Sequence, residues 1–349
     1  MTRAIWVRRP GRSEFNMVKY RISILATILL VASAATAFAV DVSPFPTSDQ
    51  SPLVAVYGLP SAGEAKVLGE KKKSIRLMAD LASNYIKNDN AREDILLDGE
   101  SLRLGLSARY GIGSNMDLGI DVPFWITGGG FLDSFIESYH STFGFPNGGR
   151  ELAPKNRLLY RYRKDGLTLL NMEQSGQGLG DVSLTGGWQI YASASQNRNV
   201  TLRTSLKLPT GDTDALRGSG SVDLALWLTG NSDHQFSMGQ LTLFGAAGAM
   251  GMTQGKILPD QQRPFVGFGA LGLAFSPAQW IELKVQANAH TSFYSDSDLK
   301  QLNAPSAQLT FGGAVHFSPK TTLHLGVTED IIVGASPDVV FHLSFERRF

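Results

Sequence analysis

The stretch Trp280-Ile-Glu-Leu-Lys-Val-Gln-Ala-Asn-Ala-His290 alternates without a break. Ile281, Leu283, Val285, Ala287 and Ala289 fall on one face, and Glu282, Lys284, Gln286, Asn288 and His290 on the other. Successive side chains of an extended chain point to opposite sides, so the stretch is a strand with one apolar and one polar face. Residues 101–110 repeat the pattern: Leu102, Leu104, Leu106, Ala108 and Tyr110 oppose Arg103, Ser107 and Arg109. No 3.6-residue period fits either stretch.

The same reading along the chain predicts twelve strands, at 74–86, 100–111, 116–126, 179–192, 199–209, 221–229, 236–250, 264–275, 280–292, 305–317, 322–329 and 338–349. Most are long enough for a tilted bilayer crossing, which needs about 9–11 residues. The links alternate in length. Residues 113–115, 193–198, 230–235, 276–279 and 318–321 are short and polar, whereas 87–99, 127–178, 210–220, 251–263 and 293–304 are longer. An even strand number with short turns at one end and longer loops at the other is the pattern of outer-membrane barrels. The expected fold is therefore all-β: a closed transmembrane antiparallel β-barrel of 12 strands over residues 74–349. Both termini are expected in the periplasm, with residues 40–73 as a periplasmic N-terminal segment. A soluble sandwich would explain the alternation, but not the strand length and the loop asymmetry together.

The amino terminus agrees. Met17-Val-Lys-Tyr-Arg21 is basic, residues 22–35 are uncharged and mostly apolar, and Ala37-Phe38-Ala39 is an A-x-A site. These are the parts of a signal peptide, expected to span residues 1–39 with cleavage after Ala39. Residues 1–16 read as an over-extended start, with Met17 the initiator. A twin-Arg signal at Arg8-Arg9 is the rival, weakened by Pro10. The chain has 349 residues and no cysteine, which excludes a disulfide scaffold and a thiolate zinc site. Residues 1–39 hold six of its 32 basic residues and one of its 31 acidic residues, so the remainder is net acidic. No basic excess points to nucleic acid.

At the carboxyl end Val339, Phe341, Leu343, Phe345 and Phe349 share one face, interrupted by Arg347. The terminal Phe349 resembles the signal by which outer-membrane barrels are recognised for insertion. The polar faces carry charges of both signs: Arg76 and Asp80, Arg103 and Arg109, Asp117 and Asp121, Arg203 and Lys207, and Glu282 and Lys284. With Asn288 and His290 these are the candidate lumen-lining residues. They read either as a sealed interior of ion pairs with Trp125 and Trp227 as fillers, or as a polar conduit. Twelve strands lie between the side-chain-filled eight-stranded barrel and the open porin, so the count allows both.

The 127–178 link is unusually long. Gly128-Gly-Gly-Phe-Leu-Asp-Ser-Phe-Ile-Glu-Ser-Tyr-His-Ser-Thr-Phe143 reads as a glycine hinge followed by a short helix. Phe131, Leu132, Phe135, Ile136, Tyr139 and Phe143 recur at helical spacing. They are the candidate gate residues, folding over the barrel mouth or lying against the outer leaflet. Residues 157–163 and 167–172 are expected to form a hairpin around Lys164-Asp-Gly166.

Other motifs carry less. Gly267-Phe-Gly-Ala-Leu-Gly272 matches G-x-G-x-x-G but lies inside an alternating strand with no helix after it, so a dinucleotide site fails on context. His-x-Ser occurs at His290/Ser292, His316/Ser318 and His342/Ser344. Such a pair could activate a nucleophile. A lipid esterase, however, needs it on the lipid side, and His290 sits on the polar face. Asp296/Asp298 and Glu329/Asp330 could hold a divalent cation through oxygen, but solvated loop acids are the simpler reading. No catalytic, metal or cofactor residue is assigned.

The segments Gly129-Gly-Phe-Leu-Asp-Ser-Phe-Ile-Glu-Ser-Tyr-His140, Gly148-Gly-Arg150, Gly178-Leu-Gly-Asp181, Lys207-Leu-Pro-Thr-Gly-Asp212, Gly218-Ser-Gly220 and Ser336-Pro-Asp-Val-Val340 resemble the bacterial outer-membrane domain-of-unknown-function family 3187. The resemblance covers roughly residues 95–349 and implies a bacterial outer-membrane barrel. It supplies architecture and place, not cargo. Pro123 departs from an ideal ladder because it cannot donate, which puts the outer end of its strand in question. The leading functional expectation is passive passage or capture of a small solute. A structural or assembly barrel is the alternative, and a lipid-modifying enzyme comes third. Expected partners are outer-membrane lipid, the insertion machinery and a small-molecule solute.

Overall fold

The computed structural model describes residues 40–135, 138, 153–332 and 336–349. Its strands are β1 (Lys73–Asp89), β2 (Glu93–Ile112), β3 (Met116–Gly128), β4 (Leu159–Lys164), β5 (Leu167–Met172), β6 (Gly176–Leu179), β7 (Ser183–Ala192), β8 (Arg198–Lys207), β9 (Asp223–Phe236), β10 (Gly239–Met252), β11 (Phe265–Ala278), β12 (Ile281–His290), β13 (Ser306–Ser318), β14 (Thr321–Asp330) and β15 (Val339–Arg348). Among the described residues, twelve of them close a barrel: β1 to β3, then β7 to β15, each pairing antiparallel with the next, and β15 returning to β1. Closure leaves no unpaired sheet edge in the wall.

These are the twelve strands expected from the alternation, with three adjustments. The link expected at 87–99 is mostly strand, because β1 runs to Asp89 and β2 begins at Glu93. Residues 230–235 continue β9 rather than turning, and 176–179 form the separate β6. The expected hairpin around Lys164-Asp-Gly166 is β4–β5, which extends β2 beyond the wall through Glu93–Asp98. Pro123 does not end β3. It marks a change of partner: β3 pairs with β7 up to Asp121 and with β6 from Phe124. The proline has no N–H for the ladder, and its carbonyl instead accepts from Gly180 N at 2.9 Å.

The alternation sorts the wall cleanly. Ile75, Leu77, Leu224, Leu226, Leu271, Leu283 and Leu325 are exposed on the outer surface. In water so continuous an apolar belt would be an aggregation surface; in lipid it is the solvated face. Among the described residues no helix is long and apolar enough to cross a membrane, so the strands are the crossing elements.

Of residues 40–73, expected in the periplasm, 41–68 run instead through the barrel interior. From Asp41, paired to Arg348 at the short-turn end, the chain climbs along β12: Phe45 N donates to Gln286 Oε1 at 2.8 Å, and Asp49 meets His290 at 3.0 Å. It turns at the long-loop end, where Tyr294 OH donates to Leu53 O at 2.7 Å. It then descends along β9 and β8. Trp227 Nε1 donates to Ala62 O at 2.9 Å, Thr229 Oγ1 to Gly63 O at 3.0 Å and Thr201 Oγ1 to Ala65 O at 2.7 Å. Lys71 and Lys72 bond to Gly111 as β1 begins. A segment with no ladder of its own carries unpaired backbone groups into a buried place. The inward Gln, Thr, Trp and Arg side chains satisfy them. The periplasmic expectation failed because a segment without period looks the same in solvent and inside a polar barrel.

The largest apolar core lies at the long-loop end, above the polar interior. The turn residues Leu53, Val54, Val56 and Tyr57 pack there against Ile95, Leu97, Tyr160, Tyr162, Ile257, Phe293, Leu299 and Leu302. Tyr57 stacks on Phe293 with ring centroids 5.0 Å apart, and burial pushes its phenol above the usual range.

Candidate functional site

The inward faces of β1, β2, β3, β7 and β8 leave a cavity of about 170 Å³ beside the luminal segment. Arg76, Arg103, Arg109, Asp121, Arg203 and Lys207 border it, as do Glu64 from the luminal segment, Trp125, Asp181 and Arg217. Its length follows from register. Arg109 lies opposite Gly119, and Arg103 opposite Trp125. The two arginines are six residues apart on one strand, about 20 Å at ~3.3 Å per residue. The cavity is therefore long and narrow.

Its short-turn end is organised by Glu64. Glu64 Oε1 lies 2.6 Å from Arg76, and Oε2 lies 3.3 Å from Arg109 and 3.2 Å from Arg348. Arg203 Nε donates to the Glu64 carbonyl at 2.7 Å, and Arg203 also meets Asp117 at 3.1 Å. Gly63 beside it has φ +73°, and a Cβ there would stand 2.8 Å from the Arg203 side chain. Only glycine both turns and fits.

Its long-loop end is organised by Asp181. Lys207 Nζ donates to Asp181 Oδ2 at 2.6 Å, Gly211 N to Oδ1 at 2.7 Å and Ser219 N to Oδ2 at 3.2 Å. One carboxylate thereby ties together Gly178-Leu-Gly-Asp181, Lys207-Leu-Pro-Thr-Gly-Asp212 and Gly218-Ser-Gly220. Lys207 also reaches Asp223 at 3.1 Å, which accepts from Gly58 N at 2.8 Å and from Ser221 Oγ as well. The same network grips the luminal segment.

The remaining lumen candidates point inward but do not border this cavity. Asp80 stands behind it, held by His342 and by Arg103 at 3.4 Å. Asp117 lies between Arg109 and Arg203. Glu282 and Lys284 form a pair at 2.7 Å with fully buried side chains, and Lys284 donates to Ser43 O. Asn288 and His290 border only a void of about 20 Å³ against the luminal segment. Their polar face serves that segment rather than free water. Of the His-x-Ser pairs, His290 engages Asp49 and His342 engages Asp80, both on the inner side of the wall.

Two gate candidates are not at the mouth. Leu132 is buried against Leu81, Val327, Val339 and Phe341, and the Phe135 ring meets Phe341 at 6.0 Å. Leu81, Val327 and Phe341 belong to the outward face, alternating with the inward Asp80, Thr328 and His342. This segment therefore lies on the outside of the rim, fastened by Phe131 N donating to Glu100 Oε1 at 3.0 Å. Phe131 is itself exposed. Helical spacing identifies an apolar face but not the surface that covers it. Ile136, Tyr139 and Phe143 lie outside the described residues. Phe349 is exposed, with its backbone bonded to Lys73 and Arg347 5.5 Å above its ring.

The residues that sequence reasoning missed are Glu64, Asp49, Arg217 and Asp181, the last quoted only within a resemblance motif. The inner faces of β1 to β3 carry three arginines, Arg76, Arg103 and Arg109, at depths where a buried charge needs a partner. That demand was the available signal for Glu64.

Family models match residues 20–349 to "Protein of unknown function (DUF3187)". The chain belongs to the DUF3187 family. The curated proteins contain no match to this DUF3187 barrel. Among solved structures, the COG4313 outer membrane channel from Pseudomonas putida F1 is similar at 12% identity and a TM-score of 0.53, over 82% of this chain and 98% of that one. That likeness shows the fold of an outer-membrane barrel. The NanC porin follows at 8% identity and a TM-score of 0.44, over 79% of this chain and 98% of that one. The toluene transporter TbuX of Ralstonia pickettii stands at 10% identity and 0.37, over 91% of this chain and 96% of that one. At those scores the last two add no argument.

Proposed function

We propose that this DUF3187 barrel sits in the bacterial outer membrane and passes small solutes, along the cavity between its luminal segment and the β1–β3 and β7–β8 wall. The observation that carries this reading is the long polar cavity of about 170 Å³, which runs beside the segment. The leader sequence and the outward apolar belt support the location. Outer-membrane lipid then covers the belt, and the insertion machinery reads the terminal strand. A volume of about 170 Å³ suits compact solutes.

The test is conductance in planar bilayers, with liposome swelling alongside. The expected result is a small steady conductance, and a several-fold larger one when residues 41–68 are removed from a barrel that still closes. A structural barrel is the second reading, favoured by the apolar core that the turn at Leu53–Tyr57 builds at the long-loop end. Absence of conductance in both forms would establish it over passage.

A further inference from the structure

Resting on the passage reading, we infer that the cavity prefers small carboxylates to cations. The charges that border it are unequal in number, six basic against three acidic, and unequal in position. The Arg103 side chain is 20% exposed and its partner Asp80 1%. Arg109 is 12% exposed against 2% for Asp117. Arg76 stands likewise in front of Glu346. In each pair the guanidinium faces the open space, and the carboxylate lies packed behind it.

Arg217 extends the series to the long-loop end. Its partner Asp212 is half exposed to solvent outside the cavity, where the attraction is screened. Among the described residues, Arg217 Nε and Arg76 Nε have no hydrogen-bond partner. The acids that border the same space are otherwise occupied: Glu64 receives three guanidiniums and Asp181 several donors. Asp121 is the one bordering carboxylate without an ion pair among the described residues.

A solute moving through this space meets donor forks at Arg109, Arg103 and Arg217 in succession. A guanidinium presents its N–H groups as a planar fork that matches a carboxylate. Because each fork is already part-engaged, the grip at each step is weak, which lets an anion leave as well as enter. Trp125, opposite Arg103 in register, offers an apolar flank to an organic body. Inorganic phosphate would share the forks but not the flank.

The experiment is a reversal-potential measurement in planar bilayers under a KCl gradient, with swelling rates for gluconate, phosphate and glucosamine. The wild type is expected to favour chloride over potassium several-fold, and to pass gluconate faster than glucosamine. The double variant Arg103→Gln, Arg217→Gln keeps Asp80 on His342 and leaves Asp212 in solvent, so the barrel should still close and keep its fast unheated gel migration. It should conduct with a chloride preference near unity. Asp121→Asn should raise that preference above wild type. A conducting wild type without anion preference, or a double variant with wild-type preference, overturns the inference and leaves passage standing. A barrel that conducts nothing overturns both. Phosphate passing as fast as gluconate would overturn the organic carboxylate and favour a general oxyanion path.

Discussion

Glu64 Oε1 lies 2.6 Å from Arg76 Nη2 and joins the luminal segment to the first strand. Its second oxygen faces Arg109 and Arg348, so three guanidiniums from β1, β2 and β15 share one carboxylate. Glu64 is therefore the pin between the segment and the seam where the barrel closes.

Glu64→Gln should loosen both. Removing one partner of a buried ion pair costs about 3–5 kcal/mol, because the remaining charges are left uncompensated. The temperature at which the barrel loses its fast gel migration should fall, and residues 41–68 should become accessible to protease. An unchanged transition and an unchanged digest would show that the pin carries no load.

Gly218→Ala tests the other anchor. A Cβ at Gly218 would lie 2.3 Å from Asp181 Oδ1. The carboxylate must move, and its bonds to Lys207, Gly211 and Ser219 move with it. Overpacking of this kind costs about 1–3 kcal/mol. The expected readout is a lowered melting transition with the strand content unchanged; a wild-type transition would contradict it.

Replacing residues 131–143 with a Gly/Ser linker should leave single-channel conductance at the wild-type level. Leu132 and Phe135 lie on the outer rim against Phe341, not over the cavity. The same replacement should reduce thermal resistance, since losing a buried leucine side chain costs about 2–5 kcal/mol. A raised conductance with normal assembly would return this segment to the mouth.

Phe349→Asp should reduce membrane insertion well beyond what the side chain's burial is worth, because the ring is exposed in the finished barrel. The substitution keeps the backbone bonds between residue 349 and Lys73, which truncation would remove. Outer-membrane levels equal to wild type would show that insertion does not read this residue.

The wall was legible in the sequence because each strand declares its two faces by itself. Alternation along Ile281–His290 or Val339–Arg348 needs no knowledge of the neighbours. Turn lengths then order the strands around a closed barrel. The hairpin β4–β5 was legible through Asp165-Gly166, a turn between two short strand-length runs.

Three things were decided only in three dimensions. Residues 41–72 have no period, so nothing local says that they fold inside. That placement follows because the inward side chains of the strands and the segment's unpaired backbone satisfy each other. The side of the rim taken by Leu132 depends on Leu81, Val327 and Phe341, which come from three separate strands. The use of each lumen charge depends on depth and on what lies across the barrel. Lys284 and Arg103 both occupy polar inward positions, yet Ser43 and Glu282 cover one while the other faces open space. A strand's own sequence reports which way a side chain points, and only the closed barrel with its threaded segment determines what that side chain meets.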